Sequence, residues 1–302
     1  MKVLVTGGSG FIGSHLVDEL LLKNHEVVNI DDLSADNDKF YTNKNAKNIN
    51  HSILNESELN KAMEGCEFVF HLAAESRLQQ ATENPEKAVE VNVKGTVKVL
   101  EACRRHNVKG LLFSSTSSVY GLADTFPITE THKENCLNPY ASTKYAAELL
   151  IKNFYELHGF NSCIFRYFNV FGERAPDKGP YALVTGIFKK QKQSGLPLTI
   201  VGDGKQKRDF IYVKDVVSAN IMCMEQWNKP EINSANVFNV SSGKDIEILE
   251  LAKCYNTKIS FMPKRKGEAI NNLASNEKLS KLTGWKPFVN IREWIKFYEN
   301  TL

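Results

Sequence analysis

An α/β fold, with a doubly wound parallel sheet and a smaller C-terminal lobe, is what this sequence predicts. Three observations carry it. A glycine-rich turn follows the first apolar run, short apolar runs then alternate with amphipathic stretches to about residue 170, and beyond Phe171 the pattern turns irregular. Alternation of that kind builds parallel sheets with helices on both faces.

In chain order, Lys2–Thr6 reads as the first strand, and Ile12, Leu16 and Leu20 mark the helix behind it. Strands are expected at Glu26–Ile30, Phe68–Leu72, Gly110–Ser114 and Ser162–Tyr167, with a helix whose apolar stripe is Val89, Val93, Val97 and Leu100. Gly172–Pro180 is a turn-rich loop, and a helix follows over 181–194. Leu198–Val201 is strand-like and runs into a polar turn, Gly202–Lys207, while Val237–Val240 returns to the sheet.

At 302 residues the chain can hold one large or two modest domains. Hydrophobic content of 42% and charged content of 24% are those of an ordinary soluble globular protein. A net charge of +3 without a dense basic block argues against nucleic acid as a partner; Lys264-Arg-Lys266 reads as a local anion site or a solvated loop. Six cysteines (Cys66, Cys103, Cys136, Cys163, Cys223 and Cys254) show no C-x-x-C spacing and read as reduced core thiols. None of the seven histidines pairs with another at ligand spacing, so no metal is expected. The first strand starts almost at the initiator Met, and no apolar run reaches the ~18 residues of a membrane span, so the expected location is cytoplasmic, with no membrane partner.

Gly7, Gly10 and Gly13 stand between the first strand and its helix in G-x-x-G-x-x-G spacing. Glycines there let backbone approach a pyrophosphate at a helix N-terminus, the device of a Rossmann-type sheet. Asp31 ends the second strand, eighteen residues past Gly13. A carboxylate at that spacing accepts the ribose hydroxyls and repels a 2′-phosphate, which favours NAD over NADP.

Downstream, Tyr140 and Lys144 lie four residues apart on a helix that Asn138 can cap and Pro139 can start. At i and i+4 the phenol and ammonium share a face. A phenol of pKa ~10 needs a shift of ~3 units, or ~4 kcal/mol, to act as a base near neutrality. An adjacent ammonium and a cationic nicotinamide ring would together supply it. Such pairs recur on solvated helix faces; behind a dinucleotide loop the pair reads as a hydride-transfer site.

With these motifs in order, the chain resembles the extended short-chain dehydrogenase/reductase family, the sugar-nucleotide epimerases and dehydratases. The resemblance rests on Thr6–Gly13, Asp31, His71–Ala74, Asn92–Thr96, Ser114–Gly121, Tyr140–Lys144, Arg166–Gly172, Gly202–Val216 and Arg265–Glu268, with a further likeness over Leu279–Pro287. It implies a dinucleotide-binding part of residues 1–170 plus 209–241 and a nucleotide-sugar lobe of 171–208 plus 242–302. It implies NAD held by Gly7, Gly10, Phe11, Ile12, Gly13, Asp31, Ile53, Leu72, Ala73 and Ala74 together with Tyr140 and Lys144. Thr116, three places before Val119-Tyr-Gly, would complete a catalytic triad with Tyr140 and Lys144 and touch the substrate. Asn169, Arg208, Arg265 and Asn272 are the remaining expected substrate contacts. Guanidinium forks suit the two linked phosphates of a nucleoside diphosphate. His71 reads as a packed core histidine, and Asn92 as a buried polar support.

Ser117 and Ser118 discriminate among reactions. Dehydratases of the family carry an acid or an Asp-Glu pair there, and uronate decarboxylases a Glu; serines cannot act as general acids near neutral pH. The resemblance therefore implies C4 epimerisation of a UDP-hexose (UDP-glucose/UDP-galactose or N-acetylated forms) through a 4-keto intermediate. The open alternatives are UDP-glucuronate 4-epimerisation, nucleotide-sugar 4-ketoreduction and a non-catalytic NAD-sensing role. Asn272 stands where relatives restricted to plain sugars carry Tyr, which implies room for an acetamide. Family members commonly form homodimers through helices near 86–106 and 139–157. Three positions depart from the family pattern: Ser52 for an adenine-contacting Asp, Val201 for a base-stacking aromatic, and Ser275 for an Asp.

Overall fold

The computed structural model describes residues 1–34, 40–76, 78–177, 183–263 and 271–299. The expected anion-site run Lys264–Lys266 and the candidate Arg265 lie outside them.

Seven parallel strands form the main sheet: β1 (Lys2–Thr6), β2 (Glu26–Ile30), β3 (Lys47–Ile49), β4 (Phe68–His71), β5 (Gly110–Thr116), β6 (Ser162–Tyr167) and β10 (Ser234–Val240). Their order across the sheet is β3-β2-β1-β4-β5-β6-β10. Helices cover both faces, so strands such as Val3-Leu4-Val5 are apolar throughout. Successive side chains leave a strand on opposite sides. Val3, Val5, Phe70, Leu112 and Phe165 join the helices Phe11–Leu22 and Val213–Glu225 in one core. Leu4, Val69, Leu111, Phe113 and Ile164 join the helices Glu56–Met63, Gly95–Arg105 and Pro139–His158 in the other.

Beyond β6 the chain adds β7 (Asn169–Phe171), β8 (Leu198–Val201), β9 (Lys207–Tyr212), β11 (Asp245–Glu247) and β12 (Ile259–Met262). They form a three-stranded sheet β11-β9-β7 and a pair β12-β8. The expected strand at Val237–Val240 is the end of β10, and the helix expected over 181–194 is described as Val184–Gln193.

One expected apolar stripe is corrected. Val89 is 51% exposed, and the buried face comprises Asn92, Gly95, Thr96, Val99, Leu100 and Cys103. The cause is polar: Val89–Lys94 winds as a π-helix. It turns Asn92 inward, where the side-chain oxygen accepts the Glu75 N–H at 2.8 Å and the amide nitrogen donates to Thr143 at 3.0 Å. Inserted π turns of this sort gather near functional sites. None of the six cysteines is in a disulfide; Cys66, Cys103, Cys163 and Cys223 are buried, as core thiols should be, while Cys136 and Cys254 are partly exposed. Among the described residues no helix is long and apolar enough to cross a membrane, and no His/Cys/Asp/Glu group could hold a metal.

Candidate active site

The order β2-β1-β4 places a chain reversal at the C-terminal ends of β1 and β4, where open α/β sheets bind ligands. A cleft of ≈ 420 Å³ opens there. Parallel register aligns its floor: Thr6 pairs with Ile30 and His71, and Thr116 with Tyr167.

The glycine turn is built by close approach. Gly7 has φ +71°, and a Cβ there would lie 2.7 Å from the Ala73 nitrogen. A Cβ on Gly13 would lie 2.1 Å from the Gly7 carbonyl oxygen, so only glycine lets the helix sit on the turn. Gly10 precedes the helix Phe11–Leu22 and provides no side-chain cap. The first-turn residues Phe11, Ile12 and Gly13 line the cleft, so an uncapped helix N-terminus opens into it. Its orphan N–H groups and dipole suit a pyrophosphate.

Asp31 lines the same cleft. Its carboxylate accepts the Ser9 and Leu33 N–H groups, each at 2.9 Å. Burial pushes its pKa up, against those two hydrogen bonds. Ile53, Leu72, Ala73 and Ala74 complete the wall. The glycine turn, its uncapped helix and Asp31 therefore fit a dinucleotide. Ser52, in place of the family's Asp, also lines the cleft, with its hydroxyl oxygen accepting the Leu54 N–H at 3.3 Å.

Deeper in, Asn138 caps the helix Pro139–His158 by accepting the Ala141 N–H at 2.9 Å, and Pro139 takes the first turn. Tyr140 and Lys144 both reach the cleft from this helix, and Thr116 reaches it from the end of β5. The Tyr140 phenol and the Thr116 hydroxyl face the same cleft. Thr116 accepts the Ser118 N–H and donates to the Ser118 hydroxyl, both at 3.1 Å. Lys144 is 3% exposed, with its amine 4.1 Å from the centroid of Phe113.

In the protein alone, burial dominates the electrostatics of this pair. Burial pushes Lys144 down to about 7, opposed by Glu148 one turn along the helix. Burial raises the Tyr140 phenol, and the Thr116 hydroxyl opposes it. Within the protein alone burial is the largest influence on both groups, and it disfavours the charged form of each. Beneath the pair, the fully buried Arg166 bridges Glu148 and Glu134, each at 2.6 Å. Ser115, beside Thr116, donates to Glu148 and ties β5 to the helix Pro139–His158.

The substrate candidates divide. Asn169 lines the cleft, and its amide nitrogen donates to the Asp209 carbonyl at 2.7 Å and to Asn272 Oδ1 at 3.1 Å. Asn272 is thus brought to the site edge through Asn169. Arg208 stands on β9, half-buried, and donates to the Lys207 carbonyl at 2.8 Å; it is not among the residues lining the cleft. Val201 pairs with Met262 away from the cleft. Ser275 accepts the Glu277 N–H at 3.3 Å, at the start of a helix. His71 and Asn92 are buried supports, as expected. Sequence reasoning missed Asp32, Phe40, His51, Tyr167 and Pro176 as cleft-lining residues. Phe40, an aromatic in a polar run after β2, was the one such residue with a visible signal.

The model of the NAD dependent epimerase/dehydratase family matches residues 3–241. The chain is similar to the crystal structure of a UDP-glucose 4-epimerase with UDP-glucose from Thermotoga maritima, at 32% identity, with 100% of this chain and 99% of that chain covered and a TM-score of 0.92. It is similar to a UDP-N-acetylglucosamine 4-epimerase from Methanobrevibacter ruminantium in complex with UDP-N-acetylmuramic acid, at 33% identity, 100% and 99% coverage and a TM-score of 0.88. A curated UDP-glucuronate 4-epimerase from Thermodesulfobacterium geofontis is 32% identical over 97% of this chain and 93% of the relative.

Proposed function

The chain belongs to the NAD dependent epimerase/dehydratase family, and we propose that within it the protein inverts C4 of a UDP-hexose, plain or N-acetylated. The similar proteins named above differ in the sugar and share C4 as the site of epimerisation. The observation that carries the reading is that Thr116, Tyr140 and Lys144 line one cleft, which also holds Asp31 and the uncapped glycine turn.

NAD is the cofactor, and when bound it supplies a hydride acceptor at C4 that returns the hydride to the opposite face, with no net redox. Tyr140, whose phenol burial holds high in the protein alone, would gain from the positive ring of the bound cofactor the charge that favours its phenolate. Tyr140, as phenolate, accepts the proton of the C4 hydroxyl and later returns it. Thr116 would turn its hydroxyl proton from Ser118 to the same oxygen as the charge develops there, and the Ser118 N–H, which it accepts at 3.1 Å, keeps it oriented. Lys144 holds the nicotinamide ribose; near its pKa of about 7 it is readily charged by a neighbouring phenolate. Arg208, and by family likeness Arg265, anchor the diphosphate while the 4-keto sugar turns over.

Ser117 and Ser118 line the cleft where dehydration would need a carboxylate. Among the described residues lining it, Lys144 is the only ammonium or guanidinium, which favours an uncharged hexose over a uronate. Residues 1–170 plus 209–241 are proposed as the dinucleotide-binding part, 171–208 plus 242–302 as the sugar-nucleotide lobe, and a homodimer as the assembly.

The test is to incubate purified protein with a panel of UDP-hexoses, without added cofactor, and to resolve the C4 epimers by chromatography. Interconversion of a C4 pair is expected. Stoichiometric consumption of NADH, or no turnover of any neutral hexose, would overturn the reading.

A further inference from the structure

The segment Gly172–Asp177 leads away from β7, contributes Pro176 to the lining of the cleft, and is fastened by Arg174 to the helix that follows the glycine turn. Arg174 Nη2 donates to Asp18 Oδ2 at 2.7 Å, and the guanidinium carbon lies 3.8 Å from the centroid of the Tyr41 ring. Asp18 belongs to the helix Phe11–Leu22, which begins at the glycine turn. Its other oxygen accepts the Asn43 amide at 2.7 Å. Tyr41 in turn donates its N–H to the Ser9 carbonyl at 3.1 Å, and the Thr42 and Ser9 hydroxyls meet at 3.3 Å. Ser9 is also the residue whose N–H holds Asp31.

The neighbouring residue is pinned on both sides, its carboxylate to the lobe and its carbonyl to the helix that carries Asp18. The Glu173 carboxylate accepts the Tyr212 hydroxyl at 2.9 Å and the Trp294 N–H at 3.1 Å. Its carbonyl accepts the His15 Nε2–H at 2.9 Å. Arg174 itself has φ +61°, a left-handed backbone that costs a non-glycine residue free energy. A side chain kept at a strained position, and engaged by both an acid and a ring, points to a role beyond packing.

We propose that Asp18, Arg174 and Tyr41 form a latch that bars exchange of the dinucleotide, with Arg174 as its positioning residue. Phe40 and Pro176 both line the cleft, one residue from Tyr41 and two from Arg174. Parting those walls requires Arg174 to leave the carboxylate and the ring together. The proposal rests on the reading that NAD is retained through turnover. It adds which residues retain it. A latch that must open for both entry and exit changes the two rates together. An ion pair of this exposure plus one cation–π contact is worth roughly tenfold in the population of the open state.

The experiment measures NADH association by stopped-flow fluorescence and NADH release by a chase with excess NAD⁺. The proteins compared are the wild type, Arg174→Ala, Arg174→Lys and the double variant Asp18→Asn/Tyr41→Leu, each checked by circular dichroism melting. Arg174→Ala and the double variant are expected to speed both entry and release about tenfold, leaving Kd within about threefold. Arg174→Lys, which keeps the charge, should fall between. Release that is unchanged, or faster release without faster entry, would overturn the latch, the latter pointing to a loosened fold. Wild-type release complete within seconds would instead overturn the retained-cofactor reading, and the latch with it.

Discussion

Asn169 and Asn272 are joined by a hydrogen bond of 3.1 Å, from the Asn169 amide nitrogen to the Asn272 carbonyl oxygen. The second hydrogen of that nitrogen goes to the Asp209 carbonyl at 2.7 Å. A backbone carbonyl only accepts, so the orientation of Asn169 is fixed and the acceptor role of Asn272 follows. Asn169 therefore keeps only its carbonyl oxygen for a ligand, a narrower role than the donor-and-acceptor one its sequence context suggests. Asn272 keeps its amide hydrogens. Asp209 organises this corner: fully buried, it accepts Ser242 and Gly243 N–H groups at 2.8 and 3.1 Å, and the Ala274 N–H at 3.4 Å.

From this pair follows a prediction on sugar selectivity. Asn272→Tyr should lower kcat/KM for UDP-N-acetylglucosamine at least tenfold more than for UDP-glucose, because the ring fills the room left for an acetamide. It also strands one Asn169 donor, a loss of about 1 kcal/mol shared by both sugars. Steady-state kinetics with the two substrates decides it. Equal losses would leave only the shared hydrogen bond and remove the steric assignment.

Tyr140→Phe should cut epimerisation by ~10²-fold or more, the usual worth of a general base. Binding of NAD and UDP-glucose should change little, since the ring remains. Thr116 would keep both Ser118 hydrogen bonds. Turnover above about a tenth of wild type would exclude Tyr140 as the base.

Much of this site is legible in the sequence because its residues serve backbone geometry or carry chemistry in short order. Gly7, Gly13, Asn138 and Asp31 each have a local reason to be where they are. The edge of the main sheet and the lobe are less legible. β3, β11 and β12 are exposed or short, and β9 contains Lys207, Arg208 and Asp209, so no alternation announces them. The Val89 stripe misled because a π turn around Asn92 shifts which residues face inward. The Tyr140–Lys144 pair is visible in sequence, and so is Glu148 one turn on, but the burial that dominates its electrostatics is not, because it comes from residues such as Phe113 that only the fold brings near.

Asp31 should make the protein bind NAD more tightly than NADP. Its carboxylate is held by Ser9 and Leu33 at the cleft wall, where a 2′-phosphate would meet like charge. Replacing Asp31 with Asn keeps the size and removes the repulsion. Calorimetric titration should show the NAD preference shrinking in Asp31→Asn. Tighter binding of NADP than NAD by the wild type would place Asp31 away from the ribose.

His71 should make the protein lose stability as pH falls through the acid range. The ring is fully buried, with Nδ1 2.8 Å from Thr6 Oγ1 and Nε2 3.1 Å from Thr96 Oγ1. Thr96 spends its own proton on the Asn92 carbonyl at 2.6 Å, so Nε2 must donate and Nδ1 must accept. Thr6 then gives its proton to Nδ1 while accepting the Ala73 N–H at 3.1 Å, which fixes the chain beside the glycine turn. The neutral ring is fully satisfied, and a second ring proton would face a donor. Burial, reinforced by Lys144, pushes the pKa from 6.5 down to about 3. Because the folded value lies below the unfolded one, the neutral ring's stabilisation is complete above about 6.5 and is lost as pH falls toward 3. Each pH unit within that window costs about 1.4 kcal/mol for this one group. Urea unfolding of wild type and His71→Gln at pH 7, 6, 5 and 4.5 checks it. The variant should be less stable at pH 7 yet lose stability less steeply below pH 6. Parallel slopes would mean that His71 is protonated in the folded protein, contrary to the hydrogen-bond chain that orients it.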